Sequence, residues 1–233
     1  MYMYGQYCPV ARACEILADR WTPLIVRELL AGVERFNDLD RGLPGISRAL
    51  LVDRLRRLER AGVVERHTGD GSIAYRLTPG GQELQGVIDV LGGWGARWAF
   101  GDPRPSELDP LVLLWWMRRR VNRDRLPARR LVIEFEFRGG RAGRYWLVLE
   151  RSDVSVCLQD PRFGIDLTVT ADIDTFYRVW LGRVTLAEAT TRRGVRLDGA
   201  PSLVRAFPQW FAWSPMATAV RAAVAERRTA AAR

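Results

Sequence analysis

The sequence predicts an α+β chain of two domains: a small helical domain closed by a two-stranded ribbon, then an antiparallel sheet covered by helices. Three observations lead there. Residues 44–77 pass from a leucine stripe with helical spacing to two short β-prone runs around Gly69-Asp70-Gly71. Residues 100–105 (FGDPRP) interrupt the chain with glycine and proline, as a linker does. Residues 131–170 alternate apolar and polar side chains between turn signals. A length of 233 residues suits two domains of ordinary size. The expected division is 1–100, a linker at 101–105, and 106–233.

Pro9 to Leu17 reads as a short first helix. In the next segment Thr22 is placed to cap a second helix with Pro23 at its first position, and Gly32 closes it. Phe36 to Leu39 makes a short third helix. The Pro44-Gly45 turn leads to Ser47, a side chain suited to capping a fourth helix. Leu51, Leu55 and Leu58 then recur at four- and three-residue spacing, so they share one face. Gly62 ends that helix, and Val63 to His67 pairs across the turn with Ile73 to Leu77. A helix followed at once by a ribbon, behind two short helices, is the layout of a winged helix-turn-helix.

That layout suits duplex DNA. A major groove admits one helix, and a hairpin beside it reaches a neighbouring groove or phosphate. Opposite the leucine stripe lie Arg48, Ala49, Val52, Asp53 and Arg56. Arg48 sits in the first turn, where groove-entering helices touch base edges. Arg57 and Arg60 lie on the flanks, suited to phosphates. A solvated arginine face would look the same, so the adjoining ribbon carries the argument.

The formal net charge is +9, and arginine supplies every basic residue. Residues 1–100 carry 13 Arg against 12 acidic residues, whereas residues 101–233 carry 23 against 15. The high net charge therefore does not mark the helical domain as the DNA binder; the local cluster Arg48 to Arg60 does. Three cysteines, Cys8, Cys14 and Cys157, are too few and too scattered for a disulfide framework or a zinc site. No metal and no cofactor is expected. No apolar run reaches the ~18 residues of a membrane span, and the first residues lack the charged start and apolar stretch of a signal peptide. A cytoplasmic protein is expected.

The residues CPVARACEILADRWTPLIVRELLAGVERFNDLDRGLPGISRALLVDRLRRLERAGVVER, followed by YRLTPGGQEL, resemble the HxlR-type winged-helix transcriptional regulators. The matching features are the Cys-Pro start, Arg20-Trp21-Thr22, Arg35 to Leu39, Gly45-Ile46-Ser47, Arg54-Leu55 with Leu58-Glu59, and Leu77 to Gly80. They run without a gap over about residues 7–98. The resemblance implies a homodimer on a palindromic operator in double-stranded DNA, with the first helix and the helix after the wing at the dimer interface. The candidate DNA-contacting set is Arg35, Ser47, Arg48, Ala49, Val52, Arg54, Arg56, Arg57, Arg66, His67 and Arg76. After the wing, Thr78 is placed to cap a helix with Pro79 at its first position. Leu84, Val87, Ile88, Leu91 and Trp94 recur along it, expected as the seam between subunits. Some regulators of this family use the cysteine at the Cys8 position as a thiol switch, with Arg12 one turn away as an activating charge. That reading stays open beside the ligand-responsive one.

In the second half, residues 106–109 have capping-box spacing, and a helix follows from Leu111, apolar first and basic after. Arg118, Arg119, Arg120, Arg123, Arg125, Arg129 and Arg130 form the densest basic run, expected as a solvated or ion-paired face, with contact to DNA beside the operator as the alternative. Four strand candidates follow, 131–137, 145–149, 154–158 and 165–170, read as a meander with one apolar face. Helices at 173–181 and 186–190, a strand at 194–197 and helical segments from Ser202 complete the chain.

Residues 165–211, from the strand through its Ala171-Asp172 turn to a closing helix, resemble the sterol-carrier-protein-2-like (SCP2-like) fold, with about residues 106–212 covered. The resemblance rests on order and spacing. It implies a sheet-and-helix cavity for an apolar small molecule, the expected effector. The candidate ligand-binding rings are Trp115, Trp116, Phe135, Trp146, Phe176, Trp180, Trp210 and Phe211, large rings of the kind that dominate cores. No catalytic constellation emerges: the single histidine, His67, lies on the wing, and no nucleophile elbow or phosphate loop is present. The reading is a regulator and not an enzyme. A lipid-binding or interaction module without operator function is the alternative from another class.

Overall fold

The computed structural model describes residues 3–69 and 72–231, and the chain divides into two compact units, Met1–Leu91 and Gly92–Arg233. The first unit begins with α1 (Pro9–Leu17), α2 (Thr22–Leu30), α3 (Phe36–Gly42) and α4 (Arg48–Arg60). A hairpin follows, β1 (Val64–Gly69) with β2 (Ser72–Leu77), then the single turn α5 (Pro79–Gln82) and α6 (Leu84–Trp98). The division between units falls within α6. Asp70 and Gly71 of the expected hairpin turn lie outside the described residues.

The core of this unit gathers Ile25, Val26 and Leu29 of α2, Leu39 of α3, and Leu51, Leu55 and Leu58 of α4, with Leu84 and Ile88 of α6 packed against it. Ser47 caps α4 as the sequence predicts: its hydroxyl accepts from the Leu50 N–H at 3.2 Å. Thr78 likewise caps α5, accepting from the Gly81 N–H at 3.0 Å, with Pro79 at the first position. Gly45 takes φ +92, and a Cβ there would stand 3.7 Å from the Trp21 ring, so the turn into α4 closes directly over that indole.

Thr22 does not cap α2. It is the first helical residue and buried, because its N–H bonds to the Asp19 carbonyl at 3.0 Å and closes the turn one residue earlier. The capping position falls to Trp21 in the left-handed region, φ 78, and Pro23 takes the second helical position.

The second unit opens, after the remainder of α6, with α7 (Pro110–Arg119). Its cap is Asp109, which accepts from the Leu111 N–H at 2.9 Å; Ser106, expected in that role, lies in a preceding 3-10 turn. A five-stranded sheet follows from β3 (Leu131–Arg138), β4 (Gly143–Leu149), β5 (Val154–Cys157), β6 (Leu167–Asp172) and β7 (Val195–Gly199), in the order β5-β4-β3-β6-β7. Helices α8 (Ile173–Trp180) and α9 (Leu186–Thr191) connect β6 to β7, and α10 (Pro201–Ala206) and α11 (Ala217–Ala231) follow.

The sheet corrects the expected antiparallel meander. β6 pairs with β3 in parallel, Ile133 opposite Leu167 and Phe137 opposite Ala171, so the sheet is mixed. Residues 158–166 carry the chain from the edge strand β5 past β4 to the free edge of β3, and Ala171 and Asp172, expected in a turn, complete β6. Period-two patterning states which residues share a face but not which strands are neighbours.

One sheet face carries Leu131, Ile133, Phe135, Phe137, Leu147, Leu149, Leu167 and Val169 into the main core, together with Leu113 and Met117 of α7 and Phe176 and Trp180 of α8. The register puts Glu134, Glu136, Arg144, Trp146, Thr168 and Thr170 on the opposite face. There Arg144 reaches Glu136 at 3.1 Å and Glu134 at 3.8 Å. In a separate small cluster α11 packs its Val220 and Ala223 on Ala96, and Arg97 pairs with Glu226 at 2.7 Å.

Three arginines of the run that begins in α7, Arg118, Arg120 and Arg123, donate to backbone carbonyls, and so does Arg151 beyond it. Arg118 Nε donates to the Val154 carbonyl. Arg120 Nε donates to those of Ala212 and, at 2.6 Å, Trp213. Arg123 donates to Ser152 at 2.9 Å and Arg151 to Leu126 at 2.8 and 2.9 Å. Arg129 and Arg130 pair with Asp166 and Glu150. These guanidiniums tie α7, the sheet and the C-terminal turn together.

The end of α9 stores strain. Arg193 sits at φ 59 while the Gly194 N–H returns to the Ala189 carbonyl at 3.0 Å, the arrangement in which glycine is favoured at the left-handed position. Arg193→Gly is expected to stabilise the second unit by about 0.5–1 kcal/mol, since the side chain's left-handed penalty exceeds the glycine entropy cost. A raised thermal unfolding midpoint checks it.

Candidate nucleic-acid interface

Burial of Leu51, Leu55 and Leu58, each at most 1% exposed, fixes the rotation of α4 and turns a different set of side chains to solvent. Ser47, Arg48, Ala49, Arg56 and Arg60 are exposed, and Val52 and Asp53 are half-buried beside them. Arg56 makes no side-chain ion pair among the described residues, so its charge is uncompensated. Arg48 is held from α3: Nη1 donates to Asp40 at 2.7 Å, Nη2 to Asn37 at 3.0 Å, and the guanidinium lies 4.8 Å from the Phe36 ring centroid.

Arg54 does not join this face. Its side chain is 13% exposed and turned toward the α1–α2 turn, where Nε donates to the Arg20 carbonyl at 3.2 Å, while Nη1 meets the neighbouring Asp53 of α4 at 2.7 Å. Arg57 sits between, bridging Asp19 at 3.1 Å and Asp53 at 2.9 Å. The angle from the leucine stripe was the available signal: Arg54 lies four residues before Leu58, along the core edge, whereas Arg56 lies well round from it.

The wing is tied to the α2–α3 connection. The Tyr75 N–H donates to the Glu34 carbonyl at 2.8 Å, Arg35 forms a bridge with Ala74, and Arg35 donates to the Ser72 hydroxyl. Arg76 forks onto Glu34 at 2.9 and 3.2 Å. Arg66 and His67 are exposed on β1. His67 Nε2 lies 3.3 Å from Glu65, and Arg66 has no side-chain partner among the described residues. The structure thus brings Ser47, Arg48, Ala49 and Arg56 onto one helix face with Arg66 and His67 on the ribbon, and engages Arg35, Arg54, Arg57 and Arg76 in internal contacts. Sequence reasoning missed Asn37, Asp40 and Glu34 as partners, since each meets an arginine 8 to 42 residues away.

Cys8 is a free thiol, half-buried at the head of α1. Arg12, expected to activate it, donates instead to Glu15 at 3.0 Å. The Tyr4 N–H and Arg12 together hold the Glu15 carboxyl below the usual range.

In the second unit the candidate ligand-binding rings divide. Phe135, Phe176, Trp180, Trp210 and Phe211 are buried in the core, with Phe135 and Phe176 edge to face at 5.8 Å. Trp116 stands edge-on to Tyr177 at 6.3 Å, and Arg118 covers Trp115 at 4.8 Å. Trp146 lies on the opposite sheet face, buried, its indole N–H without a partner in the described structure. Among the described residues no His, Cys, Asp and Glu cluster is arranged to hold a metal ion.

The family described as HxlR-like helix-turn-helix matches residues 16–102. An uncharacterized HTH-type transcriptional regulator, YvaP of Bacillus subtilis, is 36% identical over 109 residues, 45% of this chain and 97% of that protein. The uncharacterized HTH-type transcriptional regulator Rv3095 of Mycobacterium tuberculosis is 43% identical over 100 residues, 42% of this chain and 61% of that protein. The HTH-type transcriptional regulator YodB of Bacillus subtilis is 34% identical over 96 residues, 40% and 86% of the two chains. Among solved structures, the reduced form of YodB matches at 32% identity and a TM-score of 0.37, covering 40% of this chain and 96% of that one.

The two neighbouring arginines of α4 separate experimentally. Arg54→Ala is expected to destabilise the first unit by about 1 kcal/mol or more, because it removes a mostly buried side chain together with its bond to the Arg20 carbonyl and its share of the Asp53 contact. Arg56→Ala is expected to change stability by less than about 0.5 kcal/mol. Urea unfolding of both variants checks the contrast.

Proposed function

This chain belongs to the HxlR-like helix-turn-helix family of DNA-binding transcriptional regulators, and from that premise we propose that it acts as a homodimer on a palindromic operator. One observation carries the reading: the buried leucines of α4 leave its opposite face, with Ala49 and Arg56, which has no ion pair among the described residues, open to solvent beside a ribbon that carries Arg66. A helix of this kind enters the major groove, and the ribbon's guanidinium meets phosphate alongside it. Two-fold pairing sets the helices about 34–36 Å apart, one turn of duplex.

The dimer reading is supported by α6. Val87, Val90, Leu91, Trp94 and Trp98 recur at three- and four-residue spacing and are all exposed, Val90 at 75% and Trp98 at 70%. Met3, Tyr4, Tyr7 and Val10, in and before α1, are also exposed. A row of exposed apolar side chains along one helix suits a protein interface, and the same stripe on two copies suits a two-fold one.

For the second unit the proposed reading is an SCP2-like domain that takes an apolar effector and biases operator binding, most simply by repression in its absence. The succession β6, α8, α9, β7, α10 supports the fold part of this reading. A ligand shifts the operator equilibrium only by its differential affinity for two states. Operator affinity measured with and without an extracted apolar ligand tests the coupling, and an unchanged value leaves the unit as a stability module.

Operator affinity is expected to fall steeply between about 50 and 200 mM salt. Arg56→Ala and Arg66→Ala are each expected to lower the slope of log K against log salt by about one per protomer contact removed. Fluorescence anisotropy over a salt series checks this, and a flat series rejects the DNA reading. Val90→Glu is expected to convert a dimer to monomers in sedimentation, with operator binding lost in parallel; a monomeric parent chain rejects the dimer.

A further inference from the structure

Arg48 is the first residue of α4, and one turn of α3 grips it from three sides. Asp40 accepts from Nη1 at 2.7 Å, Asn37 accepts from Nη2 at 3.0 Å, and the Phe36 ring lies 4.8 Å from the guanidinium carbon. The side chain nevertheless stays 62% exposed. A lone surface ion pair does little. Two hydrogen bonds and a ring acting together fix both the position and the plane of a side chain that would otherwise sample many rotamers.

The chemistry of what remains free is restrictive. A guanidinium carries five N–H donors and no acceptor, so two are occupied and three are left. In the major groove, guanine presents two neighbouring acceptors, O6 and N7, whereas adenine offers one acceptor and one donor. The Asp40 carboxylate also offsets the charge of Arg48, which weakens it as a phosphate anchor while leaving its directional donors in place. We propose that Asn37 and Asp40, with Phe36 behind them, are positioning residues that hold Arg48 ready to read a guanine in each operator half-site. The inference rests on the DNA-binding reading and deepens it.

The test is selection of bound duplexes from a randomised pool by the full chain and by Arg48→Ala, Arg48→Lys, Asp40→Asn and Asn37→Ala. The parent chain is expected to select guanine at one position per half-site, and Arg48→Ala to lose that preference alone. Arg48→Lys keeps the charge and does not restore it, because an ammonium lacks the planar fork. Asp40→Asn is expected to weaken the guanine preference about ten-fold, the order of one degraded bidentate contact. It should also raise affinity for unrelated DNA, because a negative charge has been removed near phosphate. A merely structural Asp40 would lower affinity for selected and unrelated DNA together, and that result overturns the proposal. So does an unchanged preference in Arg48→Ala. A parent chain that selects no sequence overturns the DNA-binding reading itself, which separates the two failures.

Discussion

Everything in the first unit follows from the burial of three leucines. Leu51, Leu55 and Leu58 close the core against α2 and α3, and no other rotation of α4 buries them all. Once that angle is fixed, the destiny of each arginine on the helix is fixed with it. Arg54 falls on the core edge and becomes a strut; Arg57 falls beside it and joins the same carboxylates; Arg56 is left outside. Leu→Ala at such a site would cost about 2–5 kcal/mol, so the outward face is held by a large fraction of a small domain's stability.

The second unit is governed by a different constraint, the need to satisfy backbone groups where strands and turns end. The β4–β5 turn and the start of β5 present carbonyls to arginine side chains, as do the turns at 120–126 and 210–213. Guanidinium groups fill that need at Val154, Ser152, Leu126, Ala212 and Trp213. A planar donor with several N–H groups suits the task, since one arginine can serve two adjacent carbonyls, as Arg120 does. This accounts for part of the basic excess of the second half without any nucleic-acid role.

Local chemistry was legible in the sequence and distant pairing was not. Ser47, Thr78 and Pro79 announced helix starts because capping depends on residues three apart. The leucine stripe and the alternation from Leu131 to Phe137 announced their buried faces for the same reason. Thr22 misled, since a threonine before a proline looks like a cap whether or not the chain has already turned. The parallel β3–β6 pairing and the fork of Arg76 on Glu34 join residues 34 and 42 apart in the chain, beyond any periodic signal. For the candidate interface, helix and ribbon were both legible, and the partners that hold Arg48 were not, because no spacing rule links side chains of one short helix to the start of the next.

The carbonyl-bound guanidiniums have a final consequence. Neither an arginine nor an amide oxygen exchanges protons anywhere near neutrality. The chain's single histidine, His67, lies on the wing. The ties that hold α7, the sheet and the C-terminal turn together therefore keep their charge through mild acidification, and the second unit has no imidazole with which to register it.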